Sequence, residues 1–418
     1  MPESSSSQTR PAPLAGVLIV EICSVIAGPA CGRMLADFGA DVIKIEPPDG
    51  DLVRQFGSHV GDVSLYAASI LRNKQSISLD LKTAQGQAIA AELLKRADVL
   101  IENNRPGVLE RLGLGWETLS AANPRLIMVR ISGYGQTGPY SERPGYGAIC
   151  EAVGGVRHMT GDPDRPPSRV ALATTDYLSA TYAAFGATMA ILERMRSGQG
   201  QLVDVALYET AFTQMEPHVV AYEKLGTIPQ REGANLPSMA PNSLYPTRDG
   251  GWVLLAAASN LTFERLLRAM GRVDLLQVEQ FATVRARGNK KNMKALDAII
   301  AEWTRQFDAK ELEDLLVQAQ VPSARAYTIA DIYTDPHYEA REMLVRVEHP
   351  QLGHTIQPGI VPKLSASPGS IRRTGPELGA DGESILRERL QWSEDAIAAA
   401  RADGALHGAS GTPRSDTR

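Results

Sequence analysis

Two apolar runs near the start of the chain, Val17-Leu18-Ile19-Val20-Glu21-Ile22 and Asp41-Val42-Ile43-Lys44-Ile45-Glu46, constrain the fold most. Both are nearly unbroken, the pattern of strands buried on both faces of a parallel sheet. Between them the chain turns at Ser24-Val25-Ile26-Ala27-Gly28-Pro29, runs through Met34, Leu35 and Phe38 at helical spacing, and stops at Gly39. A strand, a helix and a second strand closed by an acid outline a nucleotide-binding half. Two more alternations follow: a helix over 84–96 before a strand over 98–102, and a short helix at 108–112 before a strand over 126–131. Val203-Asp204-Val205-Ala206-Leu207 is a further strand candidate. The expected fold class is α/β, on a mostly parallel sheet.

Near Thr227 Pro, Asn, Ser and Gly accumulate, and Arg248-Asp249-Gly250-Gly251 reads as a hairpin turn before Trp252–Ala256. The expected organisation is a disordered tail over 1–13, a large domain over 14–226, and a smaller α+β domain over 227–325. Residues 326–402 should return to the large domain, with a second disordered tail over 403–418. A net charge of −5 argues against a nucleic-acid partner. No apolar run approaches the roughly 20 residues of a membrane helix, so no membrane partner is expected. Met1 to Pro13 lack the apolar core of a secretory signal. Cys23, Cys31 and Cys150 form neither a disulfide framework nor a zinc pattern, and the histidines are scattered. A cytoplasmic protein without a metal is expected. The run Gly133-Tyr134-Gly135-Gln136-Thr137-Gly138 matches the dinucleotide fingerprint literally, but Pro139 and a non-helical stretch follow it. The motif has meaning only as strand, turn and helix, so NAD is not expected.

The stretch Ala173-Thr174-Thr175-Asp176-Tyr177 opens a helix with two unlike faces. Ser179, Ala180, Ala183, Ala184, Gly186, Ala187 and Ala190 leave one side with almost no bulk, which lets a backbone or ligand come close. Leu178, Tyr182, Phe185, Met189 and Leu192 keep the apolar spacing of a buried helix. Asp176 falls in the expected N-cap position, where backbone N–H groups and the helix dipole favour a carboxylate anion. Such an aspartate serves equally well as a plain cap.

Several separated strings then match one family. They are Ile26-Ala27-Gly28-Pro29, Gly39–Glu46, Asn73–Lys82, Ala97–Asn103 with Arg105-Pro106-Gly107, Gly133–Pro139, and Gly198-Gln199-Gly200-Gln201 with Val203-Asp204-Val205. The chain resembles the class III CoA-transferases, the superfamily of formyl-CoA transferase, carnitine CoA-transferase and α-methylacyl-CoA racemase. The resemblance runs from residue 14 to about 390. It implies a Rossmann-like large domain built from both chain ends, a smaller domain, and an interlocked homodimer.

It also implies that Asp176 is the catalytic residue, carrying CoA from an acyl-CoA to a free carboxylic acid through anhydride and aspartyl-CoA thioester intermediates. Coenzyme A contacts carry over onto Val25, Ile26 and Ala27, onto Leu79, Asp80, Leu81 and Lys82, onto Asn103, Asn104 and Arg105, and onto Arg111 and Tyr146. Lys74, Lys82, Arg105 and Arg111 read either as phosphate contacts or as solvated surface charges. Succinyl-CoA as donor and a dicarboxylate as acceptor are the expected substrates, with Asn242 and Arg248 as candidates to face a second carboxylate. The racemase branch, the alternative reading, pairs the aspartate with a histidine. Here that slot holds Pro144-Gly145-Tyr146-Gly147, and a tyrosine near pKa 10 suits a neutral two-base reaction poorly. The oxalate-specific branch has a Gln where this chain has Ile26.

Overall fold

The computed structural model describes residues 10–408; of the tails expected over 1–13 and 403–418, residues 1–9 and 409–418 lie outside the described residues. The chain divides into two compact units. One gathers the residues up to Val156, Val170–Val220 and everything from Glu339; the other holds Arg157–Arg169 and Ala221–Tyr338, and so starts ahead of the expected boundary at Thr227.

The first unit is built on a seven-stranded sheet. Its strands β1 (Leu18–Ile22), β2 (Asp41–Glu46), β3 (Lys74–Leu79), β4 (Val99–Glu102), β5 (Ile127–Ser132) and β6 (Leu202–Ala206) lie in the order β3-β2-β1-β4-β5-β6. All neighbouring pairs in that row are parallel. This is the doubly wound order, which reverses between β1 and β4. The seventh strand, Leu406–His407, lies antiparallel to β3 with Leu406 opposite Leu79. Leu406 and His407, expected as tail, therefore belong to the sheet. The misreading has a simple cause, since a two-residue strand among Asp, Gly and Ala carries no periodic signal.

Helices α1 (Ala27–Asp37), α2 (Leu65–Ile70), α3 (Ala84–Arg96), α4 (Val108–Arg111), α5 (Gly147–Val153), α6 (Thr174–Ser197) and α7 (Leu207–Phe212) accompany the sheet. Alternate strand residues point to opposite faces. Ile19, Val42, Val99 and Val129 pack with Cys31 and Leu35 of α1 and Ala180, Ala183 and Ala187 of α6. Val20, Ile43, Leu100 and Met128 pack with Ile89 and Leu93 of α3 and with Ile385 and Leu386.

Helix α6 buries its small-residue side. A Cβ on Gly186 would lie 2.7 Å from the Val203 side chain of β6, so that side chain packs directly against the helix backbone. Arg194, near its end, pairs with Asp98 at 2.9 Å. Its other side corrects the expectation of a helix buried through its larger side chains. Phe185 is 62% exposed and Met195 78%, and Tyr182, Met189 and Leu192 are exposed as well. Among the described residues nothing covers this stripe. Among the described residues no helix is long and apolar enough to cross a membrane.

The carboxyl ends of β1 and β2 hold buried charge. Glu46 accepts from Arg54 Nε and Nη2 at 2.7 Å each, from Ser76 Oγ at 2.6 Å and from the Asp51 N–H at 3.0 Å. Burial alone would raise its pKa, but the bonds and charge of Arg54 outweigh it and hold the carboxyl down at about 2, against an ordinary 4.5. A carboxyl depressed on folding adds stability above its unfolded pKa and loses it as pH falls toward the folded value. Acid titration of unfolding should therefore show a steep loss between these two pH values. The Glu46→Gln variant should be less stable at neutral pH by about 3–5 kcal/mol and have a flatter acid limb.

The second unit has an antiparallel sheet of β7 (Asn242–Pro246), β8 (Trp252–Ala256) and β9 (Ser323–Arg325), ordered β9-β8-β7. Helices α8 (Asn260–Ala269), α9 (Lys290–Thr304) and α10 (Ala309–Gln318) supply the rest of a core around Tyr245, Phe263, Leu266, Ile300 and Leu312. The turn between β7 and β8 is tied by Asp249, which accepts from Thr247 Oγ1 at 2.6 Å and from the Ala309 N–H at 3.2 Å. Arg248 pairs with Asp308 at 2.9 Å and Glu311 at 3.4 Å. Those two carboxylates already occupy the guanidinium that sequence reading offers to a substrate.

Candidate active site

Open α/β sheets bind ligands beyond the carboxyl ends of their strands, where the strand order reverses. Here the loops leaving β1 and β4 meet at that point and are bonded to one another. The Ser24 N–H donates to Asn103 Oδ1 at 2.9 Å, and Asn103 Nδ2 donates back to the Ser24 carbonyl at 2.8 Å. Asn104 Nδ2 donates to the Ile22 carbonyl at 3.1 Å, while its N–H donates to Glu102 Oε2 at 2.7 Å. Both asparagines thus use their amides on protein. The loop after β5 closes a third side, and a Cβ on Gly133 would stand 2.9 Å from the Gly145 Cα.

These loops bound a cavity of about 170 Å³. Its lining brings together Val25, Ile26, Ala27, Asn103, Asn104, Arg105, Tyr146 and Asp176, and adds Arg143. Leu79, Asp80, Leu81, Lys82 and Arg111 are not part of that lining. Leu79 is buried in the core against α3, and Asp80 is tied to the sheet edge through its N–H to the Ala405 carbonyl at 3.0 Å. Asp80 Oδ1 accepts from the Lys82 N–H at 2.9 Å, and the side chain of Lys82 is exposed. Arg111 stands exposed on α4. Lys74 is no surface charge: it is fully buried and pairs with Glu21 at 2.6 Å.

Asp176 reaches the cavity from the first turn of α6. The helix starts at Thr174 with Ala173 as its cap residue, so Asp176 lies inside the first turn instead of capping it. The electrostatic consequence is retained, because the positive end of the dipole extends over that turn. A Cβ on Gly147 would overlap the Asp176 carboxylate, 2.8 Å from its Cγ. The carboxylate therefore occupies space that only a residue without a side chain leaves open. Burial and the neighbouring Asp176 charge push the Cys150 thiol up to about 11. Tyr66 and Tyr177 share a hydrogen bond of 3.0 Å. Burial, that bond and the charge of Asp176 raise the Tyr66 phenol.

Two cations face the same cavity. Arg143 is stacked on Tyr140, 3.5 Å from the ring centroid, and Tyr140 meets Tyr134 edge-on at 5.9 Å. Stacking of this kind fixes a guanidinium while leaving its N–H edge open to an anion. Arg105 enters from the β4 loop. A carboxyl group at a helix start, backbone N–H groups at the start of α1 and two guanidinium groups are suited to acyl transfer among anionic substrates.

A model of CoA-transferase family III matches residues 14–382. The chain belongs to CoA-transferase family III. This class III CoA-transferase is 45% identical over 395 residues to the succinyl-CoA–D-citramalate CoA-transferase of Chloroflexus aurantiacus, covering 94% of this chain and 98% of that one. It is 39% identical to the beta subunit of succinyl-CoA–L-malate CoA-transferase from the same organism, over 93% of this chain and 97% of the relative. Among solved structures, a CaiB/BaiF family protein from Brucella suis superposes with a TM-score of 0.80 at 33% identity, covering 91% of this chain and all of that one. In this transferase, sequence reading missed Gly147 as a neighbour of the aspartate and Arg143 as a second cation. The Gly-x-Gly spacing at 145–147 hints at the first. Nothing in the sequence separates Arg143 from an ordinary surface arginine.

Proposed function

We propose that this transferase moves CoA from succinyl-CoA to the carboxylate of a small dicarboxylic acid, with Asp176 as covalent carrier. The observation that carries the reading is the Asp176 carboxylate, set against Gly147 in a cavity shared with Arg105 and Arg143. The relatives named above, both succinyl-CoA-dependent and both acting on hydroxydicarboxylates, support the substrate class. Asp176 attacks the thioester carbonyl, forming a mixed anhydride and releasing CoA thiolate. The thiolate attacks the aspartyl carbonyl, which frees succinate and leaves an aspartyl-CoA thioester. The acceptor carboxylate displaces the thiolate to form a second anhydride, and the thiolate then takes the acceptor's acyl group and restores Asp176. Each step exchanges groups of similar energy, which is the advantage of the covalent route. Val25, Ile26, Ala27, Asn103, Asn104, Arg105 and Tyr146 bind the CoA end, with Asp80, Leu81, Lys82 and Arg111 as its more distant contacts and Leu79, buried in the core, anchoring that segment. The Gly at position 147 supplies no second acid or base beside Asp176, which favours transfer over racemisation.

Chromatography of CoA thioesters after mixing the protein with succinyl-CoA and D-citramalate, malate, mesaconate or glutarate tests the assignment. New acceptor-CoA with equimolar succinate is expected. Hydrolysis alone, or hydrogen exchange at the α-carbon without an acceptor, contradicts it.

The exposed stripe of Tyr182, Phe185, Met189, Leu192 and Met195 on α6 supports a homodimer that covers it. Light scattering on the eluting protein should give twice the chain mass, and Phe185→Asp should shift it toward one chain. A wild-type monomer would refute this assembly.

A further inference from the structure

Beneath the loop that leaves β1 lie four charges that do not line the cavity. Glu21, Lys44, Asp51 and Lys74 are each at most 2% exposed, and their formal charges cancel. Lys44 Nζ lies 3.1 Å from Glu21 Oε1 and 2.8 Å from Asp51 Oδ2, and Lys74 Nζ lies 2.6 Å from Glu21 Oε2. Burying charge is expensive, and well-packed apolar side chains often replace such groups without loss. What apolar groups would not provide here is the set of bonds the cluster makes to the loop. Lys44 donates to the Cys23 carbonyl at 2.7 Å, Lys74 to the Pro29 carbonyl at 2.7 Å, and Asp51 Oδ1 accepts from the Val25 N–H at 2.9 Å.

Val25 is the strained residue of that loop, with φ of 67°. A β-branched side chain resists the left-handed region. Directly after it, Ile26 and Ala27 begin α1 and line the cavity with Asp176. The backbone direction at Val25 therefore sets where the first free N–H groups of α1 point.

We propose that Asp51, seated by Lys44, is a positioning residue that holds Val25 in its left-handed conformation and so shapes the cavity for the CoA thioester. The inference rests on the acyl-CoA reading of the cavity given above. Asp51 touches no reacting atom and acts through Val25.

Titration calorimetry with free CoA, beside steady-state kinetics with succinyl-CoA, tests it. Asp51→Ala should weaken CoA binding about tenfold or more, the scale of a released backbone strain. Its kcat at saturation should stay within about threefold, so the loss appears in KM. Val25→Gly adopts this φ freely, and its own CoA affinity is the reference for the double variant. Added to Asp51→Ala it should restore most of the affinity, which a purely charge-balancing aspartate would not allow. Val25→Pro leaves the charges in place, cannot take the φ, and should weaken CoA binding as much as Asp51→Ala does. Unchanged binding in Val25→Pro, or a loss in Asp51→Ala that Val25→Gly does not repair, overturns the proposal. If instead the unaltered protein neither binds nor transfers CoA, the acyl-CoA reading itself has failed.

Discussion

Replacing Asp176 by Asn should abolish CoA transfer, with a loss of roughly 10⁴-fold or more, the scale seen when a covalent nucleophile is removed. The amide matches the carboxylate in shape but cannot be acylated and released under the same conditions. Free CoA should still bind within about threefold, because the contacts proposed for it lie on the loops after β1 and β4 and not on the carboxylate. The thermal midpoint should change little, since the cap of α6 is Ala173 and not Asp176. Rate and binding must therefore separate. Loss of both together would mean that Asp176 holds the loops and does not carry the chemistry.

Gly147→Ala should give the second-largest effect. The backbone there lies outside the left-handed region, so alanine fits the chain conformation without strain. At the start of α5 the change should leave stability equal or raise it by about 0.4–1 kcal/mol, through the unfolded state. Its methyl group, however, would stand 2.8 Å from the Asp176 Cγ, and the carboxylate has to move away. A displacement near 1 Å in a reacting group costs about 100-fold. A fall in kcat/KM of that size, with an unchanged or higher melting temperature, is expected. A fully active Gly147→Ala enzyme would show that Asp176 does not work from its present place.

The sheet was legible because its strands are buried on both faces and so read as apolar runs; Val17–Ile22 and Asp41–Glu46 both fall where β1 and β2 lie. The charged residues inside those runs, Glu21, Lys44 and Glu46, break the pattern for a reason that spacing does not encode. Their partners, Lys74, Asp51 and Arg54, come from other segments, and only the folded chain brings them together. Lys74 illustrates the limit: its environment depends on Glu21, 53 positions earlier. Asp176 was legible by resemblance, while its place in the turn was not. Thr174, Thr175 and Asp176 are all good cap residues, yet the helix already includes all three. The small face of α6 announced close packing. Whether its larger face is covered depends on a partner, and one sequence cannot show which surface another chain will use.

Covalent loading separates Asp176 as the proposed carrier from a residue that only lines the cavity. The direct measurement mixes the protein with succinyl-CoA in the presence of hydroxylamine and maps the peptides by mass spectrometry. An aspartyl hydroxamate on the peptide carrying Asp176, absent from the Asp176→Asn variant, is the expected result. An unmodified Asp176 peptide from protein that is turning over would contradict it.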